Sequence, residues 1–245
     1  MLAEIETLLF DFGGTLDADG VAWKERFHAL YQSQGLHMAA DAFASAFFAA
    51  DDALVGRLPP TTGLPETVNA LAANLEAELA RRCAGAEAVG SVRDRADGDR
   101  GRRVASRFLS EMSAVFARNR PVLQALGERF RLGVVSNFYG NLEAVCQSSG
   151  LAPLFAVMAD SHCVGAKKPE PAIFWAALET LHAAPKTTVF VGDSLRRDCE
   201  GARRAGMGFV WIAPEGVQAA EAHAAANRSV LAAVTELPDL LNILK

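Results

Sequence analysis

The sequence predicts an α/β fold in which a parallel-sheet core is interrupted by a helical insertion. Two observations lead to this fold class. In the second half of the chain, short apolar runs of strand length alternate with helical patterns, which is typical of a parallel sheet covered on both faces. Between the first such run and this alternation, apolar residues recur at helical spacing. We therefore expect a core domain formed by residues 1–16 and 118–245 and a helical cap domain formed by residues 17–117.

The first strand is predicted at Thr7–Phe10, where a short apolar run ends in Asp11 and a Gly-Gly turn. Helical spacing predicts helices over residues 21–34, 39–55, Pro65–Cys83 and Val104–Asn119. The stretch 85–103 is rich in Gly, Asp and Arg and predicts a loop. The later helices and strands are predicted at Val122–Phe130, Leu132–Val135, Leu142–Ser148, Phe155–Ala159, Pro171–Leu181, Thr188–Val191, Leu195–Ala205 and Gly208–Ile212.

The composition excludes two classes of partner. The formal net charge of −5, from 24 basic and 29 acidic residues, argues against a broad basic surface, so we expect no nucleic-acid partner. No uncharged run approaches the roughly 18 residues that a spanning helix needs, and the N-terminus lacks the basic region of a secretory signal. The four cysteines form no C-x-x-C pair. We expect a soluble cytoplasmic protein with no membrane partner, and the pattern leaves its oligomeric state open.

Polar residues follow several of the predicted strands. They are Asp11, Ser136, Asp160 and Asp193. In open parallel sheets, ligands bind beyond the carboxyl ends of the strands. The sequence therefore predicts one shared site at this edge of the sheet.

Four segments carry the chemistry and appear in a fixed order along the chain. They are D-F-G-G-T-L at Asp11–Leu16, V-V-S-N at Val134–Asn137, K-K-P-E-P at Lys167–Pro171 and V-G-D-S-L-R-R-D at Val191–Asp198. Their order and context resemble the four motifs of the haloacid dehalogenase superfamily, over roughly residues 5–16 and 118–212. The resemblance implies a Rossmann-like core with an inserted helical cap of the C1 type. It also implies Mg²⁺-dependent hydrolysis of a small phosphorylated substrate.

The resemblance also assigns roles to individual side chains. Asp11 would be the nucleophile that forms an aspartyl-phosphate, and Lys168 would stabilise charge on the phosphoryl oxygens. The substrate-binding residues would be Gly14, Thr15, Ser136, Asn137 and Lys168. The residues that hold Mg²⁺ would be Asp11, the Gly13 carbonyl, Asp193 and Asp198, the last through a bound water or by orienting Lys168. Oxygen ligands of this kind suit a hard cation such as Mg²⁺.

The sequence departs from the family pattern at Gly13, where most phosphatases of the superfamily carry an acid two positions after the nucleophile. Glycine keeps the backbone carbonyl but removes general acid–base catalysis, which is typically worth roughly 10²–10⁴-fold in rate. We therefore expect aryl and acyl phosphates to react faster than alkyl phosphates, and Gly13→Asp to favour alkyl substrates. Asp17, Asp19 and His162 are the substitute acids nearest by motif position.

Two other functions stay open at the sequence level. A binding or regulatory protein could keep the phosphate pocket without turnover. A phosphonatase-type enzyme, which cleaves a C–P bond, carries a small residue at the position of Gly13 and uses a cap lysine as a Schiff base. Lys24 is the single lysine of the insertion. The tyrosine that dehalogenases of the superfamily usually carry at position 13 is absent.

Overall fold

The computed structural model of the protein describes residues 4–85, 99–213 and 230–244. Most of the loop predicted at 85–103 lies outside the described residues. Within the described part, the core is a parallel sheet of six strands in the order β3-β2-β1-β4-β5-β6. The strands are β1 (Thr7–Phe10), β2 (Arg131–Ser136), β3 (Val157–Asp160), β4 (Thr188–Gly192), β5 (Gly208–Ile212) and β6 (Val230–Val234). The predicted parallel α/β core is present.

The neighbours of β1 determine where a ligand can bind. Phe10 pairs with Val134 of β2 on one side and with Val191 of β4 on the other. The chain therefore leaves β1 for strands on both sides of it, which makes the carboxyl end of β1 a topological switch point. Asp11 is the first residue beyond that end.

Side chains of β1 alternate between the two layers that cover the sheet. Leu8 and Phe10 join the larger apolar cluster, which continues into the insertion. Leu9 faces the other layer, where it packs with the buried Phe174 and Ala202. The core helices in the described residues are α5 (Leu142–Ser148), α6 (Ser161–Val164), α7 (Pro171–Leu181), α8 (Glu200–Ala205) and α9 (Leu240–Ile243), together with the second part of α4. The helix predicted at Leu195–Ala205 is a wide helical turn, Leu195–Cys199, followed by α8.

The insertion is helical, as predicted. Its helices are α1 (Trp23–Ser33), α2 (Ala40–Asp52), α3 (Leu64–Gly85) and the first part of α4 (Arg100–Gly127). Helix α3 packs between α2 and α4. Buried aromatic side chains hold α1, α2 and α4 together, with the ring centroids of Phe27 and Phe108 4.5 Å apart and those of Phe27 and Phe47 5.6 Å apart. Each such burial contributes about 1.5–3 kcal/mol.

Helix α4 differs from the sequence prediction. Two helices were expected, one on each side of Pro121, but a single helix runs through this residue. Proline removes a backbone N–H and disfavours a helix interior. Buried side chains on both sides of it, including Phe116, Val122 and Leu123, anchor both halves on the core and outweigh that cost. The expected boundary between residues 117 and 118 falls inside this helix, and the division into two domains stays a prediction.

The sequence also fails to predict β6. Its segment, V-L-A-A-V, shows no alternation of polar and apolar residues, and alanine has a low preference for strands. The strand forms at the sheet edge by pairing with β5 across an irregular register at Phe209 and Val210. No helix in the described ranges is both long and apolar enough to span a membrane.

Candidate active site

A buried lysine connects the ends of three motifs. The Nζ atom of Lys168 lies 2.6 Å from Asp11 Oδ1 and 2.8 Å from Asp198 Oδ1. Ser136, at the end of β2, donates a hydrogen bond from Oγ to the same Asp11 oxygen at 2.7 Å. Burial lowers the pKa of Lys168, but the carboxylates of Asp11 and Asp198 outweigh burial and raise that pKa above its ordinary value. Lys168 is therefore a permanent cation at the end of β1.

The backbone at Lys168 is held by Asn137. The Asn137 Oδ1 atom accepts the Lys168 N–H at 2.7 Å, and its Nδ2 donates to the Lys168 carbonyl at 3.2 Å. Asn137 also lines the cleft above Asp11. Its amide therefore positions the lysine, a contact that the motif comparison did not predict.

Three carboxylates converge beside this lysine. One oxygen from each of Asp11, Asp193 and Asp198 lies within 4.8 Å of the others. Burial, and then the charges of Asp198 and Asp11, raise the pKa of Asp193 well above its ordinary value. Asp193 Oδ1 is buried and has no hydrogen-bond partner among the described residues. A hard divalent cation would satisfy this oxygen and relieve the repulsion, so the donor set fits Mg²⁺.

The turn after Asp11 uses its two glycines differently. Gly13 has φ −78° and ψ 118°, which other residues also adopt, whereas Gly14 has φ 91°. The Gly14 N–H donates to Asp17 Oδ1 at 2.6 Å, so it is engaged within the turn. Thr15 is fully buried. The phosphate contacts expected of Gly14 and Thr15 stay predictions.

A tryptophan from the insertion occupies the space beside Gly13. A Cβ atom placed on Gly13 would lie 3.2 Å from Nε1 of Trp23. This indole donates to Asp17 Oδ2 at 2.7 Å, and Arg26 holds the same oxygen at 2.8 Å. The residue at position 13 is therefore limited by the Trp23 ring and not by backbone conformation.

The three residues that lie nearest by motif position as candidate substitute acids have other contacts. Both oxygens of the fully buried Asp17 are used in the turn just described. Asp19 pairs with Arg118 at 2.5 Å, and His162 packs against Gly140. The cleft that contains Asp11 is lined by none of the three within the described chain.

The cleft, of about 640 Å³, lies between the insertion and the sheet edge. Lys24 lines it, as does Glu25, and the two are ion-paired at 2.9 Å. Asp51 of α2 also lines the cleft and accepts a hydrogen bond from the hydroxyl of Tyr139, which follows β2. The motif comparison did not identify Asp51. One feature of the sequence could have drawn attention to it, namely its place close to the C-terminal end of a predicted helix. An acid in the last turn of a helix is disfavoured by the helix dipole.

A family model described as haloacid dehalogenase-like hydrolase matches residues 5–206. The chain belongs to this family. A magnesium-bound hydrolase of the family from Bacillus subtilis aligns with 98% of this chain and 99% of its own, at a TM-score of 0.56 and 20% identity. This likeness concerns the fold and confirms the expected Rossmann-like α/β architecture.

Curated relatives match smaller parts of the chain. Haloacid dehalogenase-like hydrolase domain-containing protein 3 of Bos taurus is 34% identical over 116 residues, which are 47% of this chain and 46% of that protein. A phosphoserine phosphatase of Thermus thermophilus is 41% identical over 64 residues, 26% of each chain. The matched region thus spans about half the length of the first relative and about a quarter of the second. The activity of the whole protein is therefore a matter for proposal.

Proposed function

We propose that this hydrolase is a Mg²⁺-dependent phosphatase that acts on small phosphorylated metabolites through an aspartyl-phosphate on Asp11. The observation that carries the proposal is the ion-paired chain of Asp11, Lys168 and Asp198 at the switch point of the sheet. Similarity to a phosphoserine phosphatase supports the choice of phosphate esters.

The chain's own residues perform the steps as follows. Ser136 and Lys168 orient the Asp11 carboxylate through Oδ1. Asp11 attacks phosphorus, the ester P–O bond breaks, and an aspartyl-phosphate forms. Lys168 balances the charge that accumulates on the phosphoryl oxygens. Water then attacks the phosphorus and releases inorganic phosphate and free Asp11.

The metal would be held by Asp11, the Gly13 carbonyl and Asp193, with Asp198 beside them. When bound there, Mg²⁺ would supply positive charge to the phosphoryl oxygens and help orient the substrate. Gly13 contributes no proton to the leaving group, so an alkyl leaving group must obtain its proton from another residue, from the substrate or from solvent.

A second candidate is C–P bond hydrolysis by a phosphonatase-type mechanism. The placement of Lys24 in the same cleft as Asp11 favours it. A Schiff base on Lys24 would require its ion pair with Glu25 to open. Borohydride reduction in the presence of a carbonyl phosphonate would trap such an adduct in the wild type but not in Lys24→Arg.

The test of the phosphatase proposal is a screen of alkyl, aryl and acyl phosphates with and without Mg²⁺. We expect Mg²⁺-dependent turnover of at least one class, and a loss on the order of 10³-fold or more in Asp11→Asn, because the nucleophile is removed without a change of shape. Asp19→Asn makes the same chemical change outside the cleft and should keep full activity.

Two outcomes would contradict the proposal. Equal activity of the wild type and Asp11→Asn would exclude Asp11 as the nucleophile. A folded wild type that binds a phosphate analogue but turns over none of the three classes would favour the binding or regulatory function instead.

A further inference from the structure

The loss of the acid at Gly13 raises the question of which group in the cleft can protonate a leaving group. Apart from Asp11 itself, the carboxyl groups that line the cleft in the described chain are those of Glu25 and Asp51. Glu25 is ion-paired with Lys24, and its side chain is half exposed. Tyr139 also lines the cleft, but burial and the charge of Asp51 raise the pKa of its hydroxyl well above the ordinary value, so it keeps its proton.

Asp51 is set between the insertion and the core. The Tyr139 hydroxyl donates to its Oδ1 atom, and the backbone of the same tyrosine is tied to the insertion by a hydrogen bond from Gly56 N–H to the Tyr139 carbonyl at 3.0 Å. The Arg197 guanidinium interacts electrostatically with both Asp11 and Asp51. The two carboxylates therefore share one cationic neighbour as well as one cleft.

The position of Asp51 has no explanation in helix stability. It lies in the last turn of α2, where the helix dipole disfavours a negative charge by about 0.3–1 kcal/mol. Its neighbour Asp52 is exposed to solvent, whereas Asp51 is partly buried. A carboxyl group kept in an unfavourable position inside a cleft is a candidate for function.

We propose that Asp51 is the general acid and base of the reaction, so that the cap supplies the proton transfer that Gly13 lacks. This inference rests on the phosphatase function proposed above. It assigns the role to a residue of α2 in place of the candidates Asp17, Asp19 and His162.

The proton balance of the two steps is simple. As the ester P–O bond breaks and Asp11 binds phosphorus, the Asp51 carboxyl gives its proton to the leaving oxygen and an alcohol departs. The Asp51 carboxylate then takes a proton from the water that attacks the aspartyl-phosphate. The products are inorganic phosphate, the free Asp11 carboxylate and a reprotonated Asp51, so the cycle closes.

The charge environment of Asp51 supports this role. Burial raises the pKa of Asp51 to about 6, and the charge of Asp52 on the same helix adds to the rise. The hydrogen bond from Tyr139 of the core and the charge of Arg197 beyond β4 act in the opposite direction. General acids are most effective when their pKa lies near the working pH.

The decisive experiment compares leaving groups in Asp51→Asn and in the matched control Asp52→Asn. We expect Asp51→Asn to lower kcat/KM for glycerol phosphate by roughly 10²–10³-fold and for acetyl phosphate by less than about threefold, because an acyl phosphate needs little leaving-group protonation. Asp52→Asn, which removes a neighbouring charge but keeps the Asp51 carboxyl group, should leave the ratio of the two kcat/KM values within about threefold of the wild-type ratio. An equal loss for both substrates would overturn the proposal, since a structural role affects all leaving groups alike.

The pH profile gives a second readout that does not depend on the folding of Asp51→Asn. In the wild type, kcat/KM for glycerol phosphate should fall as the pH rises above about 6, because the acid loses its proton. Tyr139→Phe removes a hydrogen bond to the carboxylate and should move this limb to higher pH. A limb that does not move in a folded Tyr139→Phe protein would overturn the proposal.

The failure of this inference and that of the phosphatase function are distinguishable. A wild type without turnover on any phosphate class overturns both. An active wild type whose Asp51→Asn variant shows no selectivity between leaving groups overturns the role of Asp51 alone.

Discussion

The two walls of the cleft differ in how their charges are arranged. The sheet-edge wall holds Asp11, Lys168 and Asp198 in a continuous ion-paired chain at the ends of parallel strands. The cap-facing wall has a glycine where an acid is expected, with the Trp23 ring beside it. In the sheet-edge wall, the side chains that would bind phosphate and metal are all present. In the cap-facing wall, position 13 has no side chain that could protonate a leaving group, and the Trp23 ring occupies the space beside it.

This difference separates two kinds of structural dependence. At the sheet edge, Asp11 and Asp193 lie just after strands whose register is set by backbone pairing, and Ser136 is paired opposite Asp160. In the cap-facing wall, the positions depend on contacts between segments far apart in the chain, such as Asp51 with Tyr139. Substitutions in the two walls should therefore affect different properties.

Apart from removal of the nucleophile, the largest effect is expected on metal binding at the sheet edge. Asp193→Ala removes one of the converging carboxylates and should weaken Mg²⁺ binding by more than about 100-fold, because even outer partners of metal ligands contribute 10- to 100-fold. Isothermal titration calorimetry measures this without reference to activity. Asp52→Asn, an acid on the exposed side of α2, should bind Mg²⁺ as the wild type does. Unchanged affinity in Asp193→Ala would remove Asp193 from the metal site.

A smaller effect is expected from restoring the acid in the cap-facing wall. In an Asp51→Asn background, Gly13→Asp combined with Trp23→Phe should recover alkyl phosphate turnover by about tenfold, a part of the general acid contribution. The second change is needed because the indole nitrogen lies 3.2 Å from a Cβ at position 13. Steady-state kcat on glycerol phosphate is the measurement.

The control for this recovery is Trp23→Phe in the same Asp51→Asn background. It makes room in the cleft without adding a carboxyl group and should give no gain. A folded triple variant with no gain over this control would count against the account in which position 13 lacks only an acid.

The smallest effect concerns stability. Because the pKa of Asp51 rises from 3.8 to about 6 on folding, the folded state holds this proton more tightly than the unfolded state. The charge of Asp51 therefore does not lower the free energy of unfolding below pH 3.8. It lowers this free energy increasingly as the pH rises from 3.8, and the full loss is present above a pH of about 6. Asp51→Asn should raise the free energy of unfolding by about 1–2 kcal/mol at neutral pH, a value reduced for partial exposure.

Urea unfolding of wild type and Asp51→Asn at pH 7 and pH 4 measures this difference. The gain should shrink at the lower pH, where the carboxyl group is protonated in the folded protein. A stabilisation of the same size at both pH values would show that the effect is not one of charge.

Most of the core could be predicted because its elements are locally encoded. The strand at Thr7–Phe10 and the helix at Pro171–Leu181 have the predicted bounds, since apolar period and flanking turn residues agree. Helix α4 was mispredicted because burial of apolar side chains on both sides of Pro121 outweighs the cost of a proline in a helix interior. Strand β6 was missed because its residues become a strand by pairing with β5, which no local pattern records.

The candidate site divides in the same way. The motif spacing was enough to bring Asp11, Ser136, Lys168, Asp193 and Asp198 to one place, because the carboxyl ends of parallel strands meet at one edge. It also identified position 13 as the place where glycine replaces the usual acid. The position of Trp23 beside Gly13, the use of Asp17 inside the turn and the presence of Asp51 in the cleft depend on how the helices of the insertion pack over the sheet. Packing joins residues that are distant in the chain, so only the folded molecule reveals which acid faces the cleft.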